Sequence, residues 1–204
     1  FYREKLVGFS GSIAHLPDIG GVGWASDGRE LYEEGLRIMP VKFLEEGKEN
    51  KIVGQFIRSN VRVSDQVIGD IYAQVAAQKI CQNGLIQFLE DTGLPDLTEL
   101  STALRSRAEA AMREAISALP DGSWMSSLDA DGVDERETHI DCRVTIKGSG
   151  LDIDFEGTSP QVASGINSVM KYTYAYATYP IKCALDPDSP RNEGSFQPIT
   201  VQAP

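Results

Sequence analysis

From Val63 to Asp91 the apolar residues Ile68, Ile71, Tyr72, Val75, Ala76, Ile80, Leu85, Phe88 and Leu89 recur at steps of three and four. That spacing predicts a long amphipathic helix, capped by Ser64 or Asp65, with Asn83-Gly84 as the natural place for a kink. A second helix is expected from Thr98 to Leu119. Thr98-Glu99-Leu100-Ser101 opens it as a loose capping box, and Pro120-Asp121-Gly122 closes it. With Gly93-Leu94-Pro95 between them, residues 61–120 read as a helical hairpin.

Beyond Gly122 the period changes to two. In His139-Ile140-Asp141-Cys142-Arg143-Val144-Thr145-Ile146 apolar and polar residues alternate, and they do so again at Leu151, Ile153 and Phe155. The segment predicts a β-hairpin around Lys147-Gly148-Ser149-Gly150, with Ile146 opposite Leu151, Arg143 opposite Asp154 and Cys142 opposite Phe155. Residues 121–160 hold ten acids against three bases, read as a solvated sheet face and an acidic loop. A last helix is expected from Ile166 to Ala184, its stripe of Val169, Tyr172, Tyr176 and Tyr179 packing into the core. Ahead of the helices, Lys5 to Ser12 reads as a buried strand ending in the glycine-rich turn His15 to Gly23, and Leu36 to Leu44 as a second, irregular strand region. The expected fold is α+β, with mixed sheets about a central helical hairpin. Residues 1–60 carry site-bearing strands and loops, 61–120 the hairpin of helices, and 121–204 the β-hairpin and terminal helix.

At 204 residues, 41% hydrophobic and 24% charged, the chain suits one packed domain. No apolar run approaches the length of a membrane span, and no charged-then-apolar leader opens the chain, so a soluble protein is expected. The net charge of −11 has no basic cluster to offset it, which argues against nucleic acid and anionic membrane as partners. Cys81, Cys142 and Cys183 lie far apart without a C-x-x-C pair, so reduced thiols in a cytoplasm are expected. A start at Phe1 and an end at Pro204 within an apolar stretch lead to the expectation of a fragment.

The nucleotide-binding glycine loops, the G-x-S-x-G elbow and the H-E-x-x-H helix are all missing from the sequence. Imidazole chemistry therefore falls to His15 or His139. His139 sits on the polar face of a predicted strand and reads as structurally idle. His15-x-x-Asp18 followed by Gly20-Gly21 places an imidazole and a carboxylate on one tight turn, where glycines allow close approach. Pattern alone leaves two readings open, a metal or acid/base site and a satisfied loop histidine. One imidazole and one carboxylate are too few for a tight zinc site, which takes three protein ligands.

Longer segments narrow the choice. Ala14-His15-Leu16-Pro17-Asp18-Ile19-Gly20-Gly21, Glu33-Glu34-Gly35-Leu36-Arg37-Ile38-Met39-Pro40, Asn60-Val61-Arg62 and Gly69-Asp70-Ile71-Tyr72-Ala73-Gln74-Val75-Ala76-Ala77 occur in that order. Further along come Met112-Arg113, Leu119-Pro120-Asp121-Gly122, Asp154-Phe155-Glu156-Gly157-Thr158-Ser159-Pro160-Gln161 and Pro190-Arg191-Asn192-Glu193-Gly194. Taken together the chain resembles the hydantoinase B/oxoprolinase family. The resemblance implies a single incomplete hydantoinase B-like module, part of a larger subunit that works with an ATP-binding hydantoinase A-like partner. The function it implies is the B-type subunit of an ATP-dependent amidohydrolase that opens a hydantoin or 5-oxoproline ring after phosphoryl activation by the partner. Two alternatives are the large subunit of a ketone carboxylase of the acetone or acetophenone type, and a docking module without catalysis. Expected cofactors are a divalent ion, zinc or manganese, on this chain, and ATP with magnesium on the partner. His15 falls on the second histidine of the family's metal motif, so His15 and Asp18 are the expected metal ligands. Asp18 is also the expected catalytic carboxylate, completing the shell or orienting the imidazole by a hydrogen bond. Trp24 reads as an ordinary packing tryptophan, with contact to an aromatic substrate as the alternative, and the Asp154 to Thr158 signature is expected to be mainly structural.

Overall fold

The computed structural model describes residues 1–22, 28–133 and 136–204. It is a mixed α+β arrangement in two compact units, one built from residues 1–97 with 163–165, the other from 98–162 with 166–204. The two helices expected as a hairpin are both present and fall in different units.

In the first unit, residues 6–22 run without helix or strand. The strand expected from Lys5 to Ser12 is absent; a lone bridge joins Tyr2 to Lys5. An apolar run makes no strand without a partner edge, and Phe9 and the nearby Ile13 stay exposed at 91% and 104%. Of the second expected strand region only its end, Leu44, is in a strand. β1 (Leu44–Glu45) pairs with β2 (Lys48–Glu49) around Glu46-Gly47, both at positive φ as a tight hairpin turn requires.

The sequence reading did not foresee α1 (Lys51–Asn60). Asn50 caps it, its side-chain oxygen accepting from the N–H groups of Ile52 (3.2 Å) and Val53 (3.3 Å). The long helix is present as α2 (Ser64–Thr92), unbroken across Asn83-Gly84. Its N-cap is Val63, not Ser64 or Asp65, and it ends at Gly93 in the left-handed conformation. Val67, Ile68 and Leu89 are buried, whereas Ile80 is 73% exposed. Of the apolar stripe, Tyr72, Ala76, Ile80 and Phe88 are exposed. The core of this unit joins Ile57 of α1 to Val67 and Ile68 of α2, with Leu16, Leu36 and Phe43 packed against them. Glu49 closes it from the side. Its carboxylate takes both arms of Arg58 (2.6 and 3.2 Å) and the Tyr72 hydroxyl (2.6 Å), and these bonds hold its pKa down at about 2.

The second unit packs α3 (Thr98–Ser117) and α4 (Met170–Leu185) with a four-stranded sheet in the order β3-β4-β5-β6. The strands are β3 (Gly122–Val133), β4 (Arg136–Lys147), β5 (Gly150–Asp154) and β6 (Ile199–Gln202). The expected hairpin is β4–β5, in the expected register: Ile146 opposes Leu151 and Arg143 opposes Asp154. In place of an acidic loop the sheet gains β3, which runs antiparallel along nearly all of β4. β6 then lies parallel to β5, reached through α4 as a βαβ crossover. Met112 and Ile116, one turn apart on α3, meet Ile146, Leu151, Ile153 and Ile199 in the core. On α4 the tyrosine stripe expected inside points outward: Tyr172, Tyr176 and Tyr179 are exposed, the first two stacked at 4.2 Å. The buried face of α4 holds Thr178 and Lys182 instead. The Lys182 ammonium donates to the Asp186 carboxylate (2.8 Å) and to the Ser189 carbonyl (2.9 Å). Burial opposes ionisation of Asp186, yet the bonds from Lys182 and Ser189 hold its pKa below the ordinary value.

His139 is not idle. Asp129, directly opposite on β3, meets its Nδ1 at 2.6 Å, and Asp141, two residues on along the same face, meets its Nε2 at 2.9 Å. Ser127 donates to Asp141 from the opposite strand. The bond from Asp129, then that from Asp141, raises the imidazole pKa against its partial desolvation. Asp141 is held low by the Ser127 hydroxyl and by His139. The imidazolium is thus a staple between two strands, and Arg143 adds its charge beside Asp141.

Two outcomes follow for the whole protein. Gly194, in the short 3-10 turn Glu193–Phe196, lies so close to α3 that a Cβ would overlap the Arg105 carbonyl oxygen. Gly194→Ala should destabilise by about 1–3 kcal/mol, read as a lower urea midpoint at unchanged slope. A group with a raised folded pKa stabilises fully below its unfolded value, 6.5 for His139, and loses that contribution as pH rises through the folded value. The difference in melting temperature between wild type and His139→Gln should therefore be largest near pH 6 and shrink towards pH 9.

Candidate functional site

The segment holding His15 and Asp18 is fixed by backbone contacts on one side and by a carboxylate on the other. Ile19 to Val22 lies alongside Glu33 to Leu36: Val22 N–H donates to the Glu33 carbonyl (3.0 Å) and Leu36 N–H to the Ile19 carbonyl (2.7 Å). Gly21 and Gly35, at φ +80° and +114°, let the two backbones touch. A Cβ on Gly21 would stand 2.7 Å from the Glu33 oxygen, and one on Gly35 2.6 Å from the Ile19 oxygen. Only glycine fits at either place.

Asp18 supplies the other tie. Its Oδ1 accepts from Gly20 N–H and from the Arg62 guanidinium, both at 2.9 Å, and its Oδ2 accepts from Arg62 N–H. Arg62 lies in the joint between α1 and α2, so the carboxylate binds the glycine turn to the helices. The Gly20 N–H, then that of Arg62, lowers the Asp18 pKa against a desolvation that would raise it, with the Arg62 charge and the Val63 N–H adding to the lowering.

His15 is placed differently. Leu16 tucks against Ile57, Val67 and Ile68, while His15 is exposed and has no hydrogen bond or ion pair among the described residues. No hydrogen bond joins it to Asp18. The orienting bond expected between the two is absent, because both carboxylate oxygens face the turn and Arg62. Among the described residues no three of His, Cys, Asp and Glu stand together as a metal site. The donors described at this turn do not by themselves fit a divalent ion: one free imidazole, and one carboxylate already filled with N–H donors. Trp24 lies outside the described residues.

Sequence reasoning singled out His15 and Asp18 and missed what Arg62 does. Its signal was the segment Asn60-Val61-Arg62, which nothing in spacing could connect to a loop 44 residues earlier. The Asp154 to Gln161 signature braces the sheet. Thr158 Oγ1 accepts from the Asp141 N–H (3.1 Å), and Ser159 exchanges bonds with the His139 backbone, its N–H donating and its Oγ accepting, both at 2.8 Å. Beside the His15 turn a pocket of about 360 Å³ is floored by Gly20, Gly21 and Gly35 and rimmed by Tyr32, Arg37 and Asn60.

Residues 1–204 match the family described as Hydantoinase B/oxoprolinase. A D-/L-hydantoinase B-type subunit of Pseudomonas sp. (strain NS671) is 34% identical over 221 residues, covering 100% of this chain and 37% of that protein. The crystal structure of the ATP-dependent caprolactamase from Pseudomonas jessenii superposes with a TM-score of 0.84 at 29% identity, covering 92% of this chain and 33% of that one. A nucleotide-free acetone carboxylase shares the fold, with a TM-score of 0.75 at 16% identity over 91% of this chain and 27% of that one. The chain spans about a third of the length of these proteins. By the match along its whole length this chain belongs to the hydantoinase B/oxoprolinase family.

Proposed function

We propose that the protein is the B-type subunit of an ATP-dependent amidohydrolase, opening a cyclic amide that a hydantoinase A-like partner has activated by phosphorylation. The observation that carries the reading is the caprolactamase likeness, a TM-score of 0.84 at 29% identity. Two features agree with it. The sequence has no phosphate-cradling loop, as expected if the nucleotide sits on the partner. The relative from Pseudomonas sp. is itself named as one subunit of an enzyme. The ketone carboxylase reading stands second, since the acetone carboxylase likeness at 16% identity speaks for the fold alone. Three free cysteines agree with a reducing, cytoplasmic setting, and no described helix is long and apolar enough to cross a membrane.

In this reading His15 would lend its imidazole to a zinc or manganese ion held mainly by ligands other than the described residues. The ion would supply Lewis-acid polarisation of the amide or its activated form. Asp18 acts as a positioning residue that fixes the turn presenting His15, in place of the ligand and catalytic roles the sequence suggested for it. A docking module would need none of this.

In the full-length assembly, His15→Ala should lower metal content by elemental analysis and abolish ring opening, with the assembly intact by gel filtration. Asp18→Asn weakens the latch without touching the imidazole. It should reduce metal content less than His15→Ala does and lower the melting temperature more. Full metal and full turnover in His15→Ala would leave the docking module as the better reading.

A further inference from the structure

We propose that β3 is a docking edge for a second copy of this chain. The two β3 strands pair antiparallel about a two-fold axis at Ser126, and the sheet of one subunit continues into that of the next.

Three observations carry it. β3 is the outermost strand in the order β3-β4-β5-β6, and no described strand pairs with its outer side. It is twelve residues long, and its row of N–H and C=O groups on that side is a template for another strand. Edges of that length are ordinarily guarded by lysine, proline or an irregular ladder. Gly122 to Leu128 holds no charged residue and no proline, and the one irregularity lies further on, between Ala130 and Val133. Finally, Trp124, Met125 and Leu128 are all exposed, so large apolar side chains flank the open edge on both faces of the sheet.

The edge itself says which occupant fits. A two-fold axis normal to the sheet joins each face of one copy to the same face of the other. Centred on Ser126, it sets Trp124 opposite Leu128 of the second copy, and Leu128 opposite its Trp124. Aromatic and aliphatic side chains then pair on either side of the two central serines. On the other face Met125 meets Ser127, and Asp129 meets Ser123. Asp129 is the one acid in the paired stretch, and its charge is already met within its own subunit by His139 at 2.6 Å. Gly122 opposite Ala130 closes the ladder at each end, and Asp131 falls beyond it. Moving the axis by one residue loses the match. At Met125 it sets Trp124 against Ser126, and at Ser127 it sets Met125 against Asp129. A closed two-fold interface needs one patch that serves on both sides, and this edge is such a patch. The net charge of −11 opposes contact between copies, and the seam centred on Ser126 brings them together where the chain is neutral.

The test follows the mass of the full-length subunit by sedimentation, with and without its partner subunit. Ser126 is exposed. Ser126→Lys and Ser126→Asp should therefore keep the melting temperature of wild type while placing like charges face to face on the axis. Wild type should form a two-copy species, and each variant should weaken it by about tenfold or more. Mixing the two variants should restore it, because lysine then faces aspartate. A wild-type subunit that stays single, variants that associate as tightly as wild type, or variants that mixing does not restore, overturn the proposal. A lower melting temperature at unchanged mass also overturns it, giving the edge to another stretch of the same subunit. Loss of the partner subunit with the two-copy species intact overturns it in favour of the partner.

Discussion

The carboxylate of Asp18 gathers N–H donors from two stretches of chain that have no helix or strand in common. Everything proposed for the site depends on that convergence. The turn from His15 to Val22 has no regular secondary structure of its own, and its glycines would give a free peptide wide freedom. It is held because Asp18 satisfies Gly20 and Arg62 at once, Leu16 enters the core beside Ile57, and Val22 and Leu36 bond across to the opposite segment. A charged group so engaged is a poor reserve of reactivity. It is a good fastener, and it leaves its neighbour in sequence, His15, presented and unspent.

How much of this was legible in the sequence varies with the range of the interactions involved. α2, α3 and the β4–β5 register were readable because each rests on a repeat within a short window: three-and-four spacing for the helices, alternation for the strands. α1 was not, since Gly54 interrupts its stripe and its clearest mark is the single cap Asn50. β3 was hidden by its own composition, for Met125, Ser127 and Asp129 share a face and mask the alternation of Trp124, Ser126 and Leu128. The tyrosines of α4 show the opposite error. Large apolar area suggested burial, but the helix turns Thr178 and Lys182 inward because Asp186 and Ser189 satisfy the ammonium there.

The site divides in the same way. His15 and Asp18 could be found because three residues separate them. Arg62 could not, and with it went the bonds that Asp18 makes to the joint between α1 and α2. His139 was misjudged because its second partner, Asp129, belongs to a strand that had not been recognised. In both cases a carboxylate changed meaning once its cross-chain donor was in place.

The parallel pairing of β6 with β5 has a consequence for the order in which the second unit is made. Leu151 meets Ile199 in the core, and both are buried. On the ribosome the hairpin of β4 and β5 can form as soon as it emerges, because its partners are adjacent. The sheet stays open on one side until α4 and a further stretch of chain have followed, and a loop of that length closes slowly. Ile153 and Leu151 must wait with one flank uncovered through that interval, so synthesis runs through a stage in which a strand with two core side chains has a vacant edge.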